Sequence, residues 1–417
     1  MRHSTNSPRL IVCLLTCVGL LVSSYLVSSH PRPAAAQAAN YIVTDLGTIG
    51  GVESRAFGIN FSGRVVGESD TPTSAEPESP FAWTSGAMTD IGNFGGGGGA
   101  AHAVNDIGYA VGSADLSLGG ATHAFIWSDI FGKRDIGTLG GSFALAVDIN
   151  NANQVVGQSD VPVPGSIVQR AFVWTNANGM QQIATLGGAS NGALGINDNG
   201  EIVGFSSTAS GHLHGFMLSG GVLTDIPTLG GQNATATEIT NGGQVVGHST
   251  LSAGSSAFHA FLWTAGAIPD DLGTLGGANS FAWDINNVGQ IVGQSQLANG
   301  SFRAFIYSQT TGIMTDLNAL TSGSGWTLLD AREINEKGQI VGTGINPSGL
   351  EHAFLLTPNV DDIPGGEPPP CAVIPSNPIV LPATNSDPIR QNENKTINQI
   401  SDPRNRRRLI YDLLRLF

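Results

Sequence analysis

A small set of residues capable of chemistry recurs along this sequence. Histidine opens His123-Ala124-Phe125, His259-Ala260-Phe261 and His352-Ala353-Phe354, with His214-Gly215-Phe216 as a variant. Aspartate recurs at Asp45, Asp90, Asp135, Asp225, Asp271 and Asp316. Imidazoles and carboxylates can hold metals or move protons. A calcium ion, however, takes about 6–8 oxygens, and no second ligand is spaced near either set. The histidines read instead as strand-start residues bonded to a neighbouring turn, and the aspartates as turn caps. Neither a metal nor a cofactor is expected. Trp83, Trp127, Trp174 and Trp263 would stack on sugars if exposed. Leu218 and Tyr307 take their place in two copies, which points to packing instead. There is no Gly-x-Ser-x-Gly elbow and no His-Glu-x-x-His pair. The run Gly95 to Gly99 lacks the Lys-Ser/Thr of a phosphate loop and reads as a flexible connection.

The elements that position these residues are repeats. One anchor is Asn, a turn containing Gly, two mostly β-branched residues and Gly, first at Asn60 to Gly67. It recurs ending at Gly112, Gly157, Gly204, Gly247, Gly293 and Gly342, with Thr240 replacing Asn once. A second anchor follows each copy, as in Phe81-Ala82-Trp83 and Phe354-Leu355-Leu356. A third reads Asp-Leu/Ile-Gly-Thr-Leu-Gly-Gly, clearest at Asp135 to Gly141. A period of about 45 residues points to a propeller or solenoid. Within the third copy, Phe143–Ile149, Gln154–Ser159, Arg170–Thr175 and Met180–Thr185 read as strands. Four strands per period make a propeller blade. The third anchor appears first, at Asp45 to Gly51, and is missing from the last repeat. The fold expected is therefore all-β: a seven-bladed β-propeller of four-stranded repeats, closed by the N-terminal strand near Tyr41–Leu46.

Composition agrees. The 417 residues include 57 glycines, and charged residues are only 12%. Many tight turns are implied, and a coiled coil is excluded. Net charge is −14, and an acidic body repels phosphate backbones, so no nucleic-acid partner is expected. Cys371 has no partner once Cys13 and Cys17 are assigned to the apolar leader, so no disulfide is expected. Arg2 and Arg9 precede the apolar run Leu10 to Val22, and small residues follow at Ala34 to Ala39. This describes a secretory signal over residues 1–39, cleaved after Ala36 or Ala38. The mature chain is then expected to be secreted, extracellular or in the cell envelope, monomeric and without a membrane span. Residues 40–358 form the repeat domain. Residues 359–417 are a Pro-rich linker and a basic tail read as disordered, with Leu409, Ile410, Leu413, Leu414 and Phe417 forming one possible apolar stripe.

The anchors resemble the bacterial extracellular repeat family named after its His-Ala-Phe tripeptide (HAF), over about residues 41–357. The resemblance implies an exported protein and carries no established activity. The tail lacks the apolar span between Glu367-Pro368 and the final arginines that a surface-sorting signal of such proteins would have. Connections between second and third strands vary most. They place Asp70, Glu76, Glu78, Asp115 and Asp160 on candidate binding-face loops. The function expected is a non-enzymatic binding or scaffold module for an extracellular protein or glycan. The alternative is a polysaccharide hydrolase or lyase with its site at the propeller axis.

Overall fold

The computed structural model describes residues 41–72, 78–117 and 120–359. The expected leader over 1–39, the tail beyond 359 and Glu76 lie outside the described residues. The chain is a seven-bladed β-propeller. Seven antiparallel four-stranded sheets follow one another at residues 54–90, 99–137, 144–182, 187–226, 234–271, 276–316 and 327–358. Tyr41–Asp45 is the fourth strand of the seventh blade and pairs with Glu351–Pro358, Tyr41 opposite Pro358 and Asp45 opposite Phe354. First strands of successive blades touch around the ring, including blade 7 with blade 1, so they line the axis. Among the described residues the one helix is Leu317–Leu320, capped by Asp316, which accepts from Asn318 N. It replaces the third anchor between blades 6 and 7.

Packing follows from the anchors. The phenylalanines Phe81, Phe125, Phe172, Phe216, Phe261, Phe305 and Phe354 are fully buried. They join hydrophobic clusters that lie between adjacent blades. In the cluster between blades 7 and 1, Val341, Ala353 and Leu355 meet Ala56, Ile59 and Phe81. Trp83, Trp127, Trp174 and Trp263 are buried in such clusters, so they pack rather than present a stacking surface. Burying each such side chain contributes about 1.5–3 kcal/mol.

The glycine after the two β-branched residues has a steric cause. At Gly157 a methyl group would sit 1.9 Å from the Leu145 carbonyl oxygen, and at Gly67, Gly112, Gly204, Gly247, Gly293 and Gly342 the same contact would be 2.0 Å. Each glycine faces a bulge in the first strand, such as that between Ala146 and Asp148. A backbone carbonyl cannot swing aside as a side chain can. Gly157→Ala is therefore expected to cost about 3 kcal/mol or more, read as a lower midpoint in thermal unfolding. An unchanged midpoint would mean that the inner ladder shifts freely.

Two local readings are corrected. The segment 160–169 is not a loop: Val155–Val163 and Ser166–Thr175 pair through it, Val161 with Val168 and Val163 with Ser166. Alternating β-branched residues extend the strands, and only Pro164 and Gly165 turn. The Gly95–Gly99 run is not a loose connection either. Gly96 to Gly99 are buried, and a methyl group on Gly96 would lie 2.2 Å from Asp115 Cβ.

Candidate functional site

The two ends of the ring differ. In an antiparallel blade, the turn after the first strand and the turn after the third lie at one end, and the remaining connections lie at the other. At the first end every turn after the first strand has one length, from Ile59 paired with Val65 to Ile334 paired with Ile340. The anchor Asn closes each turn: Asn60 Oδ1 accepts from Arg64 N, Asn150 Oδ1 from Gln154 N, and Thr240 Oγ1 does the same from Gln244 N. The turn role read from the sequence is thus present.

A second role was not legible. Each Asn donates through Nδ2 to the backbone carbonyl of its counterpart in the next blade: Asn60 to Asn105, Asn105 to Asn150, Asn150 to Asn197, Asn197 to Thr240, Asn286 to Asn335 and Asn335 to Asn60, at 2.9–3.2 Å. The residue after each Asn adds a parallel circuit. Phe61 N donates to Asp106, Asp106 N to Asn151, Asn151 N to Asp198, Asp198 N to Asn241, Asn241 N to Asn287 and Asn287 N to Glu336. Thr240 has no side-chain amide to donate, and Phe61 has no side-chain acceptor, so each circuit has one gap.

The histidine and aspartate sets meet in pairs. His123 Nδ1 lies 2.8 Å from Asp135, His214 2.9 Å from Asp225, His259 2.9 Å from Asp271, and His352 2.8 Å from Asp45. The last pair spans the seam. Asp45, Asp90, Asp135 and Asp271 also accept from the N–H of the glycine two residues on. The pairs sit on separate blades. Among the described residues no group of three His, Cys, Asp or Glu is arranged to hold a metal.

The candidate binding-face residues occupy the other end. Asp70 and Glu78 are half-buried, paired across their hairpin. Asp115 and Asp160 are buried. Asp70 Oδ2 accepts from Glu53 N, and Asp115 Oδ1 accepts from Thr122 Oγ1. Asp70, Asp115 and Asp160 stand at equivalent positions, where their carbonyls accept from Gly51 N, Gly96 N and Gly141 N. These three aspartates help join blades, and the connections beyond them carry the variation. Blade 3 projects the Val155–Val163 hairpin with Ile167 exposed, blade 5 has the turn 251–257, and blades 4 and 6 have short turns.

A carboxylate group at the axis escaped the sequence reading. Asp148, Glu238, Asp284 and Glu333 stand two residues before the anchor Asn or Thr240, in blades 3, 5, 6 and 7. Gly58, Ala103 and Gly195 hold that place in blades 1, 2 and 4. They satisfy inner-strand amides. Asp148 accepts from Ile149 N and Ile196 N, Asp284 from Ile285 N and Ile334 N, Glu238 from Ile239 N, and Glu333 from Ile59 N. Three of these bonds tie one blade to the next. Gly195 leaves room for Glu238, whose carboxylate oxygens lie 2.9 Å from where a methyl group would be.

Asp284 is buried, the other three are half-buried, and each is enclosed by several inner strands. That enclosure pushes Asp148 up to about 6 and Asp284 up to about 7, against the pull of their amide donors. Burial first, then mutual repulsion across the axis, holds Glu238 and Glu333 well above the usual carboxylate range. Just above the carboxylates, bulge residues add Trp283, with the Arg332 guanidinium 4.6 Å from its ring, and Phe57 stacked on His102 at 5.5 Å.

Comparison with known proteins assigns no activity. A family model described as "Protein of unknown function (DUF3466)" matches residues 228–349. No curated protein matches. The β-propeller domain of the trilobed protease from Pyrococcus furiosus is similar at 8% identity and a TM-score of 0.47, over 73% of this chain and 95% of that one. A puromycin-hydrolyzing peptidase from Mycobacterium tuberculosis is similar at 10% identity and 0.49, over 78% and 53%. TolB from Acinetobacter baumannii is similar at 12% and 0.39, over 61% and 64%. The chain thus spans about half of that peptidase and just under two thirds of TolB, and these likenesses carry no functional argument.

Proposed function

We propose that this chain is an exported binding or scaffold module, non-enzymatic, that engages an extracellular protein or glycan through the variable connections on one face of the ring. One observation carries the reading: the two faces are built differently. On the Asn-turn face the turns after the first strands repeat one length seven times and are tied in a circuit with one gap. The opposite face changes from blade to blade and projects the 155–175 hairpin. Varied loops on a rigid frame are where binding specificity can be placed without disturbing the frame. The leader-like first residues and the His-Ala-Phe resemblance support export.

A second reading has its own observation. Enclosed axial carboxylates with raised proton affinity are suited to general acid catalysis on a polysaccharide. Their commitment to inner-strand amides favours a structural role. Incubating the full chain with a panel of bacterial polysaccharides separates the two. Retention on a polysaccharide with no change in its chain length is expected. Shortened chains, lost with Asp284→Asn, would favour the enzyme.

A further inference from the structure

The Asn-turn face carries an apolar patch that the stapling of blades does not use, next to acidic residues that serve in the staple. In blade 2, Ile107 in the turn after the first strand is 60% exposed, and Ile130 and Phe131 in the turn after the third are 83% and 75% exposed. The Phe131 ring stacks on Tyr109 at 6.4 Å with an interplanar angle of 11°, so the patch is ordered and open. Beside it the face carries more acid than base, with Lys337 held 4.4 Å from the Phe61 ring. Asp106, Asp198 and Glu336 stand around the axial mouth, close enough to raise the proton affinity of Glu333, Asp148 and Asp284 respectively. Asp129 lies next to the patch, paired with Arg64.

The chain leaves the ring at this same face. The third strand of blade 7, Glu351–Pro358, runs toward it. Pro358 closes on the turn after the first strand of its blade, where a methyl group on Gly338 would lie 3.4 Å from Pro358 Cγ. After Asn359 the sequence continues for 417 − 359 = 58 residues. Its last stretch has Arg404, Arg406, Arg407, Arg408 and Arg415 against a single Asp412, and the apolar residues Leu409, Ile410, Leu413, Leu414, Leu416 and Phe417. Between 359 and 404 lie 44 residues, and a chain of that length with random-coil dimensions reaches roughly 35–40 Å. Strands about 4.8 Å apart put the outer strand of a blade roughly 15 Å beyond its inner one, so the mouth and blade 2 are both within range.

We propose that residues 404–417 fold back onto the Asn-turn face of their own ring, the arginines over the acidic axial mouth and the apolar residues against Ile107, Ile130 and Phe131. Charge and apolar character are complementary in the same order along the segment and across the face. Such a contact covers the stapled face and leaves the variable face open.

The test uses the full chain. Amide hydrogen exchange is followed in the turns 106–109 and 129–132, for the wild type and for a variant with Arg404, Arg406, Arg407 and Arg408 each changed to Glu and Leu413 to Asp. These changes lie outside the ring, so they leave its folding untouched. A segment docked about nine-tenths of the time protects about tenfold, so exchange in both turns is expected to be about tenfold faster in the variant. Conversely, Phe131→Ser on the ring is expected to speed tryptic cleavage within 404–408. Equal exchange in the two chains would overturn the proposal. So would protection that disappears on tenfold dilution, which would assign the contact to a second copy. Tail-dependent protection that arises only with phosphatidylglycerol vesicles would also overturn it and assign the segment to a membrane surface.

Discussion

A ring lacking residues 41–46 is expected to melt about 10 °C or more below the complete ring. The first strand makes five paired positions with Glu351–Pro358. It buries Tyr41 and Leu46, and Leu46 N donates to Ala353 O at 3.1 Å. Two buried side chains are worth about 1.5–3 kcal/mol each, and each ladder hydrogen bond about 1 kcal/mol net. The sum is about 5 kcal/mol or more. The Asp45–His352 contact at 2.8 Å is lost with it. The loss should also bare the edge of Glu351–Pro358, a template for pairing with another chain, so the truncated ring should aggregate as it unfolds. A melt within about 2 °C of the complete ring would show that the N-terminal strand is not the closure.

The second large effect is a dependence on pH set by the axis. In the unfolded chain the carboxyls of Asp148, Glu238, Asp284 and Glu333 lose their protons near pH 4. In the ring Asp148 holds its proton to about pH 6 and Asp284 to about 7, and Glu238 and Glu333 are raised too. Between these values the folded state binds more protons than the unfolded one, so stability falls as pH rises. The groups facing the cluster add to this. Asp106, Asp198 and Glu336 are acidic, while Arg332 is held by Asp330 and the Trp283 ring. His248 works in the opposite direction. It is fully buried against Phe258, Phe281 and Trp283, and burial drops it to about 3. The unfolded chain therefore gains a proton there below about pH 6.5 and stability falls on the acid side. Four raised carboxyls outweigh one imidazole, so the melting temperature should be highest near pH 4 and drop by several degrees between pH 6 and pH 8, of order ~5 °C. Glu238→Gln with Glu333→Gln should flatten the alkaline limb and raise the melting temperature at pH 8. A melting temperature that climbs from pH 6 to pH 8 would refute the account of the axis.

What the sequence disclosed and what it hid have physical reasons. Closure was legible because the third anchor comes first, at Asp45 to Gly51, and is missing from the last repeat. Blade number was legible because Gly157 and its six counterparts face a carbonyl at nearly the same distance in every copy, so each copy must keep its glycine. The Asn turn was legible for the same reason. Its second bond was not, because the partner of Asn60 Nδ2 is a backbone carbonyl 45 residues away, at Asn105, and a carbonyl leaves no trace in sequence. Asp70, Asp115 and Asp160 were placed on loops because long connections follow them. Asp70 and Asp115 are strand ends and Asp160 lies within its strand, and the carbonyls of all three accept from Gly51, Gly96 and Gly141. The axial carboxylates were hidden by their variation. A search for recurrence passes over a position that reads Gly, Ala, Asp, Gly, Glu, Asp, Glu around the ring. Only closure brings Asp148 near Glu333.

Face-specific binding tests the central claim most directly. An array of bacterial envelope glycans and peptides would be probed with the full chain, with a variant whose 161–168 tip is cut back to Asp-Gly, and with Ile107→Ser on the stapled face. The account predicts that the signals of the full chain fall at least about tenfold with the shortened hairpin, about 1.4 kcal/mol, and persist with Ile107→Ser. Signals that survive the shortened hairpin and vanish with Ile107→Ser would contradict it.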